Sequence, residues 1–180
     1  MFALSDGMGH GKRANEISTV ALNLIESFYK SGFSSNTIIS SVNKILLPAG
    51  DDSFTTLDAC VFDKSNGTAD FIKIGASCSV IKSQNTSRLL VQESLPLGIM
   101  DKIKFDAKKY VLQDQDIIIM ASDGVVDAFD DLEEYVNYIN NERIINVQML
   151  ANSILEEAES RSQEHNDDKT VIAVKVNVKV

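Results

Sequence analysis

Three acidic positions of the sequence lie where an apolar stretch meets a loop. Asp6 and Asp123 each follow an apolar run within the same three residues, Ser-Asp-Gly, and the pair Asp167 and Asp168 directly precedes the last apolar alternation. If neighbouring strands bring these ends to one sheet edge, the carboxylates repel one another there, and such a cluster holds a cation or takes up protons. Oxygen ligands favour a hard ion such as Mg²⁺ or Mn²⁺ over zinc. Residue types and spacing alone leave a metal site and a set of ordinary turns equally open.

A glycine-rich loop, Gly7-Met8-Gly9-His10-Gly11-Lys12, follows the first of these acids. Its spacing matches no nucleotide-binding motif, because a dinucleotide loop has a longer gap before its third glycine and a phosphate loop has Ser or Thr where Arg13 stands. Asp6 would also repel a phosphate unless a metal lay between them. His10 could donate a proton or contact a phosphate, although a solvated loop histidine is the simpler interpretation. His165 lies in a polar run, and we assign it no role.

Composition excludes several classes of protein. The 180 residues are 44% hydrophobic and 24% charged, which is typical of a globular domain. With 17 Lys and Arg against 26 Asp and Glu, the net charge is -9, so nucleic acid is not an expected partner. No apolar run approaches the roughly 20 residues of a bilayer span, and we expect no membrane contact from this chain. Cys60 and Cys78 lack disulfide or zinc-site spacing, which indicates a reducing compartment, and the expected location is the cytoplasm.

Hydrophobic periodicity predicts helices on both sides of a run of strands. One helix is expected from Ala14 to a stop at Gly32, and a second is expected to be capped by Ser34, Ser35 or Asn36 and to end before Pro48. The predicted buried residues of that second helix are Ile38, Ile39, Val42, Ile45 and Leu46.

The middle and the end of the chain complete the predicted pattern. Strands are predicted, as one antiparallel meander with a hairpin at Asn66-Gly67, over 57–62, 69–74, 79–82, 88–92, 105–112 and 117–121. Helical spacing returns over 132–139 and 147–158, and a last strand from Thr170 is marked by alternating Val174, Val176, Val178 and Val180. The predicted fold class is therefore α+β, with helices layered on antiparallel sheets.

Five short motifs occur in the order of a known family. They are Ala3-Leu4-Ser5-Asp6-Gly7-Met8-Gly9 with Gly11, Ile74-Gly75-Ala76, Leu95-Pro96-Leu97-Gly98-Ile99, Ala121-Ser122-Asp123-Gly124-Val125-Val126-Asp127 and Asp167-Asp168-Lys169-Thr170-Val171. On these motifs the sequence resembles the metal-dependent protein serine/threonine phosphatases of the 2C type. Within that family it is similar to phosphatases of endospore-forming bacteria that act in sporulation. The motifs cover nearly the whole chain.

The resemblance implies a fold and a metal site. The implied fold is a layered sandwich of antiparallel sheets flanked by helices, with two Mn²⁺ or Mg²⁺ ions where strands and loops meet. Asp6 would bridge the ions, Gly7 would offer its backbone carbonyl, and Asp123 and Asp167 would be carboxylate ligands, in preference to Asp168. The implied chemistry is in-line attack on phosphorus by a metal-held water, without a covalent phosphoenzyme. Asp127 is close enough in sequence to Asp123 to lie beside it.

The resemblance also implies a partner. It would be a phosphorylated anti-anti-sigma factor, whose phosphoserine is hydrolysed so that a sporulation sigma factor is released. Two other functions stay open: a non-catalytic, partner-binding pseudophosphatase module, and a metal-dependent hydrolase of small phosphoesters. The three carboxylates favour an enzyme, because a domain freed from chemistry need not keep them.

The start of the chain departs from the family pattern. Family members carry a further acidic ligand on a strand upstream of the first Asp-Gly pair, and only five residues precede Asp6. We therefore expect residues 1–180 to be a single phosphatase domain that lacks its N-terminal strands and comes from a longer, membrane-anchored protein. Such a domain would bind fewer than two metal ions or none, and its exposed sheet edges would favour a homodimer.

Overall fold

The computed structural model describes residues 1–9, 11–49, 54–84, 86–142, 146–162 and 167–177. Within them lie five α-helices and two four-stranded sheets, in two compact units. The strands are β1 (Phe2–Leu4), β2 (Leu57–Asp63), β3 (Thr68–Ile74), β4 (Ser79–Lys82), β5 (Ser87–Leu90), β6 (Lys108–Val111), β7 (Ile117–Ala121) and β8 (Val171–Lys175). The helices are α1 (Lys12–Lys30), α2 (Ser35–Leu46), α3 (Asp123–Val126), α4 (Leu132–Asn141) and α5 (Val147–Arg161).

The first unit comprises Met1–Phe62, Ala69–Ala76 and Gln92–Tyr110. Its sheet has the order β1-β2-β3-β6, and β1 pairs antiparallel with β2 so that Leu4 stands opposite Asp58. The apolar faces of α1 and α2 form one core with β2 and β3, built from Ile17, Ala21, Ile25, Ile38, Ile39, Val42, Leu46, Leu57, Ala59, Ile72, Ile74 and Leu97. Full burial of each large side chain contributes about 1.5–3 kcal/mol.

The second helix begins where the sequence predicts, and one of its predicted core residues is wrong. Ser34 is the N-cap and accepts a hydrogen bond from Thr37 N. Ile45 is 48% exposed, whereas Asn43 is buried. The centre of the buried stripe lies between the directions of Val42 and Leu46, and Ile45 points about a quarter turn away from that centre. Asn43 can be buried because its amide bonds to backbone groups that the sequence pattern does not reveal.

The second unit comprises Asp63–Thr68, Ser77–Val91 and Val111–Val180. Its sheet has the antiparallel order β5-β4-β7-β8. All five residues of β7 are buried, which explains its continuous apolar run, Ile-Ile-Ile-Met-Ala. The core of this unit joins β4 and β7 to the helices α3, α4 and α5. It is built from Cys78, Val80, Ile117, Ile119, Ala121, Val125, Val126, Phe129, Tyr135, Ile139, Leu150, Ile154 and Ala158.

The predicted class of antiparallel sheets with helices is confirmed, but the single meander is wrong. The chain leaves the first sheet after β3, forms β4 and β5 in the other sheet, returns for β6, and then enters β7. Hydrophobic alternation shows which face of a strand is buried, but it does not identify the strand's partners. For this reason the sequence predicts the strands well and their order poorly.

Several element boundaries also differ from the prediction. The strand predicted over 105–112 is shorter in the structure, where β6 spans Lys108–Val111. Ile103 and Phe105, which precede β6, pack against the core of the first unit. The strand predicted over 88–92 is β5, and α3 was not predicted. The last strand ends at Lys175, and the predicted Val178 and Val180 lie outside the described residues. None of the described helices is long and apolar enough to cross a membrane.

Candidate functional site

The first Ser-Asp-Gly turn lies in the first unit, and hydrogen bonds to two threonines fix its backbone. Asp6 N donates to Thr56 Oγ1 at 3.0 Å. The Asp6 carbonyl accepts from Thr56 N at 2.8 Å and from Thr55 Oγ1 at 2.6 Å. Ser5 Oγ donates to the Thr56 carbonyl at 2.7 Å. These contacts leave the Asp6–Gly7 peptide little freedom to rotate.

Gly7 is a glycine because there is no space for a side chain. It is buried and forms an isolated antiparallel bridge with Thr55. A Cβ at this position would lie 2.0 Å from the carbonyl oxygen of Ala14, which belongs to the first turn of α1. Backbone atoms cannot move away as a flexible side chain can, so the turn and the start of α1 pack directly against each other.

Two further motif segments support the same turn from the other side of Thr55. Thr55 and Leu97 exchange backbone hydrogen bonds of 3.0 and 2.9 Å. The next residue, Gly98, donates its N–H to Asn43 Oδ1 at 2.8 Å. Gly75 has φ +61° and approaches Pro96 so closely that a Cβ would lie 2.7 Å from the proline ring. These glycine and proline motifs therefore have a structural role next to the turn.

The second Ser-Asp-Gly turn lies in the second unit, beside the other predicted acidic segment. Ser122 and Thr170 pair through Ser122 N to Thr170 O and Thr170 N to Ser122 Oγ, both at 3.0 Å. Ser122 Oγ also donates to the Asp168 carbonyl at 3.0 Å. At Gly124 a Cβ would lie 2.8 Å from Asp168 O and 3.1 Å from Asp167 Cβ. Gly124 thus allows the two acidic segments to meet.

Three carboxylates share this end of the second unit. The pKa of Asp127 is raised, first by partial desolvation of its carboxyl group and then by the negative charges of Asp123 and Asp167. The structure therefore brings Asp123 together with Asp167, and Asp127 lies within their electrostatic field. Concentrated negative charge of this kind favours a bound cation.

The donor atoms fit a hard divalent cation, because they are carboxylate and carbonyl oxygens. Asp6 and Gly7 belong to the first unit, and Asp123 and Asp167 belong to the second. Among the residues the structure describes, no three His, Cys, Asp or Glu side chains are arranged to hold one ion. The complete ligand set of Asp6, Gly7, Asp123 and Asp167 thus stays a prediction. His10 and His165 lie outside the described residues.

The sequence did not reveal the residues that hold these turns. Thr55, Thr56 and Asn43 belong to none of the motifs, and the motif that contains Ser122 predicts no role for its hydroxyl. Hydroxyl and amide side chains are common at strand and helix ends, so they give no signal by themselves. Their partners lie 46 to 58 residues away in the chain. Only the register of β1 on β2, which places Leu4 opposite Asp58, brings Thr56 to Asp6.

Comparison with known sequences gives one consistent family. The sequence profile of stage II sporulation protein E matches residues 1–177. Stage II sporulation protein E of Priestia megaterium is 31% identical over 180 residues, which cover 97% of this chain and 31% of that protein. The chain therefore spans less than a third of the length of this relative.

Comparison with solved structures agrees. The PP2C phosphatase domain of SpoIIE from Bacillus subtilis, solved with a fragment of its regulatory domain, matches with a TM-score of 0.87 and 28% identity. That match covers 97% of this chain and 53% of the other. RsbX in complex with magnesium matches with a TM-score of 0.75 and 20% identity, over 96% of this chain and 79% of RsbX, and this match concerns the fold alone. The predicted fold class is thus that of the PP2C phosphatase domain.

Proposed function

The chain belongs to the stage II sporulation protein E family, and from this we propose that it is a metal-dependent phosphatase that hydrolyses phosphoserine on a protein. The observation that carries the proposal is the meeting of Ser122-Asp123-Gly124 with Asp167 in the second unit, on a PP2C phosphatase fold. A fold alone would not indicate chemistry, but carboxylates gathered at the ends of strands do.

The proposed substrate is a small phosphorylated regulatory protein, an anti-anti-sigma factor, whose dephosphorylation leads to activation of a sporulation sigma factor. Family membership supports this substrate. The proposed cofactor is Mn²⁺ or Mg²⁺, supported by family membership and by the oxygen donors of this chain.

The proposed ligands lie in or beside turns whose backbone other side chains of this chain hold in place. The proposed cation ligands are Asp6, the Gly7 carbonyl, Asp123 and Asp167. When bound, divalent cations lower the pKa of a coordinated water and neutralise charge on the phosphoryl oxygens. The chain's own contribution is positioning: Thr55 and Thr56 fix the Asp6 peptide, and Ser122 fixes the backbone of Asp168. Such fixed geometry lowers the reorganisation that the reaction requires.

A non-catalytic, partner-binding module is the second candidate function. It is favoured by one observation, that the described part of the chain has no three acidic or histidine side chains already arranged around one point. This candidate predicts binding of the phosphoprotein without phosphate release.

The test is Mn²⁺-dependent release of phosphate from a phosphoserine protein, measured with this chain. Asp123→Asn is expected to lower turnover by about a hundredfold or more, because a metal ligand contributes several kcal/mol to the transition state. Asp130→Asn is the matched control, since Asp130 is an exposed acid of the same unit, and it should keep full turnover.

Two results would contradict the proposal. Undiminished turnover by Asp123→Asn would show that Asp123 is not a metal ligand. Mn²⁺ binding without any phosphate release would favour the non-catalytic module. A nucleotide phosphate as a second substrate distinguishes a protein phosphatase from a hydrolase of small phosphoesters, which would cleave it at least as well.

A further inference from the structure

We propose that Thr55 is a positioning residue of the phosphatase site, whose hydroxyl holds the Asp6–Gly7 peptide in the orientation that the site requires. The effect of Thr55 on catalysis rests on the proposed function. The hydrogen bond itself, and its effect on the turn, can be tested independently of any substrate.

Thr55 is fully buried and central to the contacts around the turn. Its hydroxyl donates to the Asp6 carbonyl at 2.6 Å, and its backbone forms a bridge to Gly7. On its other side the backbone exchanges two hydrogen bonds with Leu97. Thr55 therefore connects the acidic turn to the segment that contains Leu97, although it lies outside every named strand.

The hydroxyl protons of Ser5 and Thr55 can be assigned from the acceptors that each hydroxyl reaches. Each hydroxyl has one proton to donate. The proton of Thr55 is directed to the Asp6 carbonyl at 2.6 Å. The proton of Ser5 is then left for the Thr56 carbonyl at 2.7 Å or for Thr55 Oγ1 at 2.9 Å. Loss of the Thr55 hydroxyl therefore removes one donor from the Asp6 carbonyl and one contact of Ser5 at the same time.

Helix α2 supports Thr55 indirectly, through the loop that contains Leu97. Asn43, which is buried, accepts from Gly98 N at 2.8 Å and donates to Met100 O at 2.8 Å. These bonds fix the loop whose Leu97 pairs with Thr55. With its backbone held in this way, the Thr55 side chain is a fixed support, and it can impose an orientation on the Asp6 peptide.

The experiment compares Thr55→Val, which keeps the volume and removes the hydroxyl, with Thr55→Ser, which keeps the hydroxyl. The first readout is amide hydrogen exchange at Thr56, whose N–H donates to Asp6 O, and at Met8, whose N–H donates to Phe54 O. We expect Thr55→Val to increase both exchange rates by at least about tenfold, with Thr55→Ser close to wild type.

The second readout is titration with Mn²⁺ alone, followed by kcat and KM for a phosphoserine protein. Loss of a group that orients a metal ligand typically weakens metal binding by about tenfold to a hundredfold. We expect that loss in Thr55→Val, a fall in kcat larger than any rise in KM, and recovery in Thr55→Ser. Ile154→Val is the control, because it weakens the core of the second unit and should leave the exchange at Thr56 and Met8 unchanged.

The outcomes separate this inference from the proposed function. If the wild-type protein releases no phosphate, the proposed function fails, and the exchange rates still decide whether Thr55 holds the turn. Unchanged exchange at Thr56 and Met8 in Thr55→Val would overturn the inference. A loosened turn that keeps wild-type Mn²⁺ affinity and turnover would also overturn it, since Thr55 would then have only a structural role.

Discussion

At the scale of single residues, the two Ser-Asp-Gly turns are alike in sequence and are held in similar ways by different neighbours. In each turn a hydroxyl fixes backbone at an acidic segment, Thr55 in one case and Ser122 in the other. In each, the glycine allows a close approach, to Ala14 in the first turn and to Asp168 in the second. Neither glycine has a positive φ, so lack of space explains both of them.

The close approach of Gly7 to the Ala14 backbone predicts the effect of adding one methyl group at Gly7. Gly7→Ala should destabilise the protein by about 1–3 kcal/mol or more, because the new Cβ meets backbone and α1 must shift. It should also weaken Mn²⁺ binding, since the Asp6–Gly7 peptide would be displaced. Urea unfolding and Mn²⁺ titration measure the two effects.

Gly9→Ala is the matched control for this prediction. A Cβ at Gly9 has nothing within 4 Å, and its φ of +100° leaves only backbone strain. The strain costs about 1–2 kcal/mol. If Gly7→Ala were no more harmful than Gly9→Ala, the close packing of the turn on α1 would be contradicted.

At the scale of elements, one arginine connects two helices of the second unit. Arg161, at the end of α5, bonds to Glu134 in the first turn of α4 and to Glu157 in its own helix, both at 2.7 Å. Its guanidinium also lies 4.6 Å from the centre of the Phe129 ring. Glu134 accepts from Asp130 N at 2.9 Å, and Asp131 caps α4 by accepting from Glu134 N. These contacts join the start of α4 to the end of α5.

The Glu134 contacts predict a pH dependence of stability. The pKa of Glu134 is lowered from its ordinary 4.5, first by the hydrogen bond from Arg161. The unfolded chain therefore binds this proton at a higher pH than the folded one does. The stabilisation is complete above the ordinary pKa and is lost as the pH falls through the lowered folded pKa.

Glu134→Gln removes the pH-dependent stabilisation by the Glu134 carboxylate. The unfolding free energy of this variant should therefore fall less than that of wild type as the pH is lowered below 4.5. Urea unfolding at a series of pH values provides the measurement. Glu133→Gln, at an exposed neighbouring position, should retain the wild-type pH dependence. Parallel pH curves for Glu134→Gln and wild type would show that the ion pair contributes nothing.

At the scale of the whole molecule, neither compact unit is a continuous stretch of chain. The second unit takes β4 and β5 from Ser77–Val91 and the rest of its sheet from Val111–Val180. In that sheet β4 lies between β5 and β7, with Val80 opposite Ile119. The longer C-terminal segment therefore lacks β4, one of the two strands that pair with its own most buried strand, β7.

We accordingly expect residues 111–180 alone not to fold. Without β4, the strand β7 would expose one ladder edge, and the core would lose Cys78 and Val80. Circular dichroism should show no cooperative thermal transition for this fragment, whereas the entire chain should show one. A sharp transition in the fragment would mean that β4 is dispensable for the second core.

The sequence by itself determined what depends on neighbours in the chain. The capped start of α2, the strands Ser79–Lys82 and Ile117–Ala121, and the acidic positions before and after strands all follow from local periodicity and turn chemistry. The family and its fold were also predicted from short motifs in order. For the helix cap and the strands, the deciding interactions span only a few residues.

The tertiary structure alone decided which distant groups meet. Strand order, the hold of Thr55 on Asp6, and the buried ion pair of Lys73 with Asp58 at 2.6 Å have no signal in the sequence. A charged residue in a strand is ordinarily expected in solvent, and only a partner across the sheet makes its burial tolerable. Long-range pairing depends on register and on the competition among all strands, so no local pattern specifies it.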